Sequence, residues 1–158
     1  MALIVQKYGG TSVGSVDRIR NVARRVAHFQ RQGHQLVVVV SAMSGETNRL
    51  IALANELSPH PDPRELDVVA ATGEQVTIGL LAITLDAMGL EAKSYTGGQV
   101  RVLTDNAFTK ARILAIDEEN MRADLDAGKI VIVAGFQGVD SDGNITTLGR
   151  GGSDTSGV

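Results

Sequence analysis

Leu36-Val37-Val38-Val39-Val40 runs straight into Ser41-Ala42-Met43-Ser44-Gly45. Five consecutive branched apolar residues leave no polar face, so the first half reads as a strand buried on both sides. Such strands belong to parallel sheets covered by helices on each face. The small and polar residues that follow then lie at the strand's carboxyl end, the edge at which open α/β sheets bind ligands.

The residues before it complete a βαβ unit. Val16, Ile19, Val22, Val26 and Phe29 recur at helical spacing, with Arg18, Arg24, Arg25 and Arg31 mostly off that stripe. Ser15 suits the N-cap, Asp17 the first turn and Gly33 the stop. Ahead of this helix, Leu3-Ile4-Val5-Gln6-Lys7-Tyr8-Gly9-Gly10-Thr11-Ser12 reads as a strand that delivers a lysine to its carboxyl end and then turns. The backbone N–H groups of Gly9 and Gly10 are unshielded by side chains and can form an anion-binding concavity. Lys7 adds a compact cation suited to phosphate oxygens. With parallel strands, Ser41 and Thr47 share the rim with Lys7.

Downstream, a helix is expected from about Thr47 to Leu57 with Leu50, Ile51, Leu53, Ala54 and Leu57 inward. The three prolines between Ser58 and Pro63 end it in a surface loop. Arg64 to Met88 is helical again, with Leu80, Leu81, Ile83, Leu85 and Met88 apolar. Thr72-Gly73-Glu74 interrupts it, so two helices meet there or one is kinked, leaving Glu74 as a partly buried carboxylate. Short strands are expected over Glu91–Tyr95, Arg101–Leu103 and Lys110–Ile116, then a polar helix from Glu118 to Ala127. Lys129 to Ala134 is another buried strand, ending in Gly135-Phe136-Gln137-Gly138. Asp140-Ser141-Asp142-Gly143-Asn144 signals a hairpin. Helices and buried strands alternate, so the class is α/β with a largely parallel sheet, in one domain.

Composition removes several alternatives. The net charge is −3 and the basic residues are scattered, so nothing supports a nucleic-acid surface. Aromatic residues make up 3%, too few for a base-stacking platform. The absence of cysteine excludes disulfides and thiolate metal sites, and fits a cytoplasmic setting. The longest unbroken apolar runs are too short to span a membrane, so no membrane partner is expected.

The second glycine cluster is Leu148-Gly149-Arg150-Gly151-Gly152-Ser153-Asp154, followed by Thr155-Ser156. An arginine in such a loop presents its planar fork to a carboxylate or phosphate, and Thr155 and Ser156 can open a helix whose N–H groups face the ligand. A Walker-A lysine loop and the three-glycine dinucleotide fingerprint are both missing. His28, His34 and His60 fall away from every strand end, which disfavours a Ser/His/Asp hydrolase.

Taken together, Lys7-Tyr8-Gly9-Gly10-Thr11-Ser12, Val38-Val39-Val40-Ser41-Ala42-Met43, Thr72-Gly73-Glu74, Gly135-Phe136-Gln137-Gly138 and the Gly149–Asp154 cluster closely resemble, in order, the motifs of the aspartate kinases, members of the amino-acid kinase family. The resemblance implies a three-layer sandwich around a mainly parallel sheet, the carbamate kinase-like fold. It implies ATP-dependent phosphorylation of the side-chain carboxylate of L-aspartate to 4-aspartyl phosphate, the step that opens lysine, methionine and threonine synthesis.

By the same resemblance, Lys7 neutralises charge on the transferring phosphoryl group, and Tyr8, Gly9, Gly10 and Ser41 lie on the nucleotide side. Thr47, Glu74, Arg150, Gly151 and Gly152 belong to the aspartate site. Ser153 lies where the two ligands meet, and Asp154 organises the catalytic lysine. The chemistry agrees. A carboxylate with a pKa of roughly 4 is ionised at neutral pH, so no general base is needed, and transfer depends on positioning and charge stabilisation. Glu74 suits the ammonium of an amino acid and Arg150 its α-carboxylate. Mg²⁺ is implied by ATP and held largely by phosphates and water.

Two departures stand out. Aspartate kinases continue with a segment for adenine and ribose and mostly with regulatory ACT domains, and Gly157 stands where alanine is commoner. Residues 1–158 are therefore expected to be the N-terminal part of a catalytic domain whose parent is a homo-oligomer or an assembly with a regulatory subunit. Another small-molecule kinase of the family, of the glutamate or uridylate type, and a non-catalytic anion-binding or assembly module remain alternatives. Alone, this stretch is expected to have little kinase activity, and normal turnover by it in a hydroxamate-trapping assay would overturn that expectation.

Overall fold

Successive residues of β2 (Gln35–Val40) feed two different cores. Leu36, Val38 and Val40 pack with Ile130 and Ile132 of β6 (Ile130–Ala134) against α1 (Val16–Arg31) and α4 (Thr72–Ala87). Val37 and Val39 face the other way, with Val131 and Val133, onto Tyr95, Val100, Val102 and Leu125. All five residues of β6 are buried. Both runs are thus buried on both faces, for the reason given by their unbroken apolar sequence. The computed structural model describes residues 1–149 and Gly157; Arg150, Gly151, Gly152, Ser153 and Asp154 lie outside the described residues.

The main sheet is ordered β1-β2-β6-β3, with β1 at Leu3–Tyr8 and β3 at Ala92–Tyr95. Every pairing in it is parallel. On one side lie α1 and α4; on the other lie α5 (Glu119–Asp126) and the segment entering β4 (Val102–Thr104). This is the layered α/β arrangement expected of the family. The Tyr95 hydroxyl donates to the buried Asp124, fastening β3 to α5.

A second sheet was not foreseen. It is ordered β5-β4-β7-β8, with β5 at Ile113–Ile116, β7 at Gln137–Val139 and β8 at Ile145–Thr147. The strands on either side of Thr96–Arg101 therefore belong to different sheets. The hairpin signal at Asp140–Asn144 does join β7 to β8, with the Asp140 N–H donating to the Asn144 carbonyl at 3.0 Å. Strands of three or four residues carry too little periodicity to reveal their partners.

This sheet is pinned to α3 (Pro63–Ala70) by Asp67, which is 1% exposed. Its carboxylate accepts from Thr109 N at 2.9 Å, Thr147 N at 2.9 Å and Thr147 Oγ1 at 2.7 Å. A buried carboxylate persists only when satisfied in this way.

The helices depart from expectation in burial. α2 (Glu46–Leu57) buries only Leu50, while Leu53 and Leu57 are exposed. Ala71 alone separates α3 from α4 and keeps right-handed helical angles, so the two form a nearly continuous rod. Pro63–Ala87 is long and apolar enough to cross a bilayer by length and composition. Here it carries buried Asp67 and Glu74 and packs Ile78, Leu81 and Leu85 into the core, as a core helix does. Ile83, within the same apolar run, is 67% exposed.

Leu81→Ala, at a position with no exposure, is expected to lower the unfolding free energy by about 2–5 kcal/mol. Ile83→Ala should change it by no more than about 0.5 kcal/mol. Urea titrations of the two variants check this, and equal losses would place Ile83 in a core.

Candidate functional site

Parallel register brings three strand ends together: Tyr8 lies opposite Val40, and Val40 opposite Ala134. The turns that follow are laced to one another. Ser41 N donates to the Tyr8 carbonyl at 3.1 Å, and Gly135 N to the Val40 carbonyl at 3.0 Å. After β1 the chain makes a single 3₁₀ turn, Gly10–Val13, which packs on the turn after β2. A side chain at Gly10 would place its Cβ 3.1 Å from the Ala42 carbonyl oxygen. Close approach of two backbones is what this glycine permits.

Between these turns and the start of α4 opens a cleft of about 320 Å³, lined among others by Gly10, Ser41, Thr47 and Glu74. That volume is at the small end of ligand pockets, roughly 300–1,000 Å³. Gly45, left-handed at φ 79°, caps α2 and turns its first residues, Thr47 and Asn48, onto the cleft. A helix N-terminus there favours a negatively charged ligand group. On the opposite wall, Gly73 brings α4 so close that an added Cβ would meet the Ala42 Cβ at 2.8 Å.

That contact buries Glu74, which is 2% exposed in the first turn of α4. Its Oε1 accepts from Ala42 N at 3.3 Å, and its Oε2 has no hydrogen-bond partner among the described residues. Burial pushes the carboxyl up to about 7, against hydrogen bonding from its own backbone, from Ala42 and from the Gln137 side chain. An unsatisfied buried acceptor facing a cleft is a demand for a donor, and an ammonium meets it.

Lys7 is exposed near the end of β1, its Nζ 3.5 Å from the point where a Gly9 Cβ would lie. The ammonium thus folds back over the glycine turn, beside the cleft rather than in its lining. The Lys7 stem also meets the described residue Gly157, whose added Cβ would lie 3.5 Å from the Lys7 Cβ. The Tyr8 ring points away, into the core shared with α1. Its hydroxyl donates to Gln6 at 2.9 Å, and the ring lines a separate groove with Ser12, Arg18 and Arg25. Only its carbonyl reaches the turn network.

The three histidines lie off the site. His28 and His60 are exposed, and His34, ahead of β2 at the amino end of the sheet, accepts from Ala2 N at 3.1 Å. Phe136 lines the cleft in a left-handed backbone conformation, φ 71°, and was not anticipated as a site residue. Its signal was available in the glycines flanking Phe136-Gln137, directly after a buried strand. Met43, Ser44 and Asn48 also line the cleft unannounced. Among the described residues no group of three His, Asp or Glu side chains converges as a metal cage.

Glu74 predicts an asymmetric stability profile. Its folded pKa of about 7 exceeds the unfolded value of 4.5, so the native state binds the extra proton and loses stability as pH rises through that window. Glu74→Gln is expected to be stability-neutral at pH 4.5 and stabilising by roughly 2–3 kcal/mol at pH 8. Denaturant unfolding at both pH values tests this, and an equal effect at each would sink the explanation.

The chain is 68% identical over 158 residues to the aspartokinase of Pseudomonas aeruginosa, covering all of this chain and 38% of that protein. It spans well under half the length of the curated relatives it matches. The aspartate kinase of Synechocystis superimposes with a TM-score of 0.82 at 47% identity, over 98% of this chain and 25% of that one. Escherichia coli aspartokinase III, solved with aspartate and ADP, superimposes with a TM-score of 0.84 over 96% of this chain and 44% of that one; at 24% identity this shows shared fold. Residues 2–158 match the amino acid kinase family, and the chain belongs to it.

Proposed function

We propose that this chain is the N-terminal part of the catalytic domain of an aspartate kinase, acting in the cytoplasm. The reaction transfers the γ-phosphoryl group of ATP to the side-chain carboxylate of L-aspartate and feeds the synthesis of lysine, methionine and threonine. The observation that carries the proposal is the buried Glu74, its Oε2 without a partner among the described residues, lining a small cleft one strand-end away from Lys7. A desolvated acceptor of this kind, taken with Arg150, suits a small zwitterion, with its ammonium and its carboxylate, better than a nucleotide.

In this reading Glu74 holds the substrate ammonium, Thr47 and the N-terminal turn of α2 receive carboxylate oxygens, and Arg150 takes the α-carboxylate. A side-chain carboxylate oxygen attacks the γ-phosphorus, and the bond from phosphorus to the β–γ bridging oxygen breaks as ADP leaves. Lys7, with the amides of Gly9 and Gly10, offsets the charge on the transferring oxygens, and Asp154 orients the lysine. The transition state gathers negative charge that a fixed cation stabilises more than it does the ground state. Gly151 and Gly152 belong to the aspartate side and Ser153 to the junction of the two ligands, and Mg²⁺, held largely by phosphates and water, would supply further charge neutralisation when bound. The parent protein is a homo-oligomer or joins a regulatory subunit, and residues 1–158 by themselves turn over little.

Hydroxamate trapping of the acyl phosphate tests this in the full-length protein. Lys7→Ala is expected to lower kcat by about 10²–10³-fold, the scale for removing one charge-stabilising group; wild-type-like turnover would discard the reading for a non-catalytic module.

A second outcome concerns pH. Glu74 pairs with an ammonium only when ionised, and its carboxyl titrates near 7 in the empty site. The KM for aspartate is therefore expected to rise about tenfold per unit as pH falls below 7, with a much smaller change in kcat. A KM flat from pH 5.5 to 8 would contradict the role given to Glu74.

A further inference from the structure

Gln137 is the first residue of β7, 5% exposed, and its side-chain amide joins three separate segments. Its Nε2 donates to the Ala71 carbonyl at 2.8 Å, and its Oε1 accepts from Gly97 N at 3.2 Å. Ala71 is the one residue between α3 and α4, and Gly97 lies in the turn between β3 and β4. Because opposite ends of the amide meet a carbonyl and an N–H, its orientation is fixed without a choice of flip. The same side chain approaches the Glu74 carboxylate and favours its ionised form. Gln137 does not line the cleft; its neighbour Phe136 does.

We infer that Gln137 is a positioning residue: by tying the carbonyl at the start of α4 to the Gly97 turn, it holds Glu74 at the cleft wall and so gives the site its preference for a dicarboxylate that bears an α-ammonium. The inference rests on the reading that Glu74 receives the substrate ammonium. Its physical basis is local. Glu74 lies three residues beyond Ala71, so a shift of the Ala71 carbonyl moves the first turn of α4 and with it a carboxylate whose hydrogen bond from Ala42 N is long, at 3.3 Å. Removing the donor also costs a buried hydrogen bond to the Ala71 carbonyl, beside the one that opens α4, and relaxation of this turn would relieve part of that loss. The carboxylates of the ligand meet other elements, α2 among them, and do not depend on this link.

The test compares L-aspartate with succinate, the same dicarboxylate without its ammonium, in the full-length enzyme. Gln137→Met keeps the length and removes both hydrogen bonds; Gln137→Glu keeps the acceptor for Gly97 and sets a second carboxylate near Glu74. For each variant the aspartate KM, kcat, the succinate inhibition constant and Tm are measured. Both variants are expected to raise the aspartate KM roughly tenfold, Gln137→Glu the more, as befits loss of a hydrogen bond acting on a charged group. The kcat should stay within about threefold and the succinate constant within about twofold.

A residue with a merely structural role would lower Tm and weaken both ligands alike, and that result overturns the inference, as does an unchanged aspartate KM. If only one variant folds, its aspartate-to-succinate ratio decides. A wild-type enzyme that fails to phosphorylate aspartate would instead remove the proposed function, and this inference with it. A wild-type enzyme that works, with variants that lose no selectivity, removes the inference alone.

Discussion

Parallel pairing among β1, β2 and β6 is the constraint from which the site follows. Parallel register places every carboxyl end on one edge, with Tyr8, Val40 and Ala134 in line. Whatever follows each strand must then turn in the same small volume. Residues more than 90 positions apart in the chain, Gly10 and Phe136 among them, thus line one cleft. The pairing itself is held by burial of both sheet faces, since apolar area removed from water contributes about 25 cal/mol per Å² and β2 and β6 offer no polar face to expose. A strand buried on one side only would leave room for an antiparallel arrangement, and its turns would alternate between the two ends of the sheet.

Within that frame, the chemistry depends on how closely α4 approaches the turn after β2. Gly73 allows contact at a distance that no other residue would tolerate, and the contact takes Glu74 out of water. Desolvation raises the cost of its charge; an Oε2 without a partner among the described residues makes that cost recoverable by a cationic ligand. The two effects are one arrangement: a carboxylate in contact with bulk water would bind an ammonium weakly and would show no preference for it over solvent. Gln137 and Asp67 serve the same end from outside the cleft. Each is a buried polar side chain with several partners, fixing α3 and the start of α4 against the small second sheet.

Much of this was legible in the residues. Five apolar residues in a row at 36–40, the helical stripe from Val16 to Phe29, and Ser15 and Gly33 at its ends are local statements that the structure bears out, because capping and two-sided burial are written in neighbouring residues. The placing of Ser41 and Thr47 on one rim followed from strand direction alone. The inward row expected of α2 failed, since Leu53 and Leu57 are exposed. Periodicity shows that a helix has an apolar stripe but not how much of it a neighbour covers. Ile83, in the apolar run of α4, is exposed for the same reason. The half-buried Tyr8 ring packs against the core beside α1 while Lys7 is exposed, because alternation along β1 sends consecutive side chains to opposite faces.

The sequence by itself determined the α/β class, the parallel sheet, the glycine turns at the strand ends and the short roster of charged residues near them. These depend on patterns over a few residues, where side-chain chemistry and strand or helix period act directly. Only the tertiary structure decided that Glu74 is desolvated with one oxygen unpartnered among the described residues, that Phe136 lines the cleft while Gln137 does not, and that a second sheet exists. Those features arise from contacts between segments far apart in the chain, where distance and burial, rather than residue type, set the free energy.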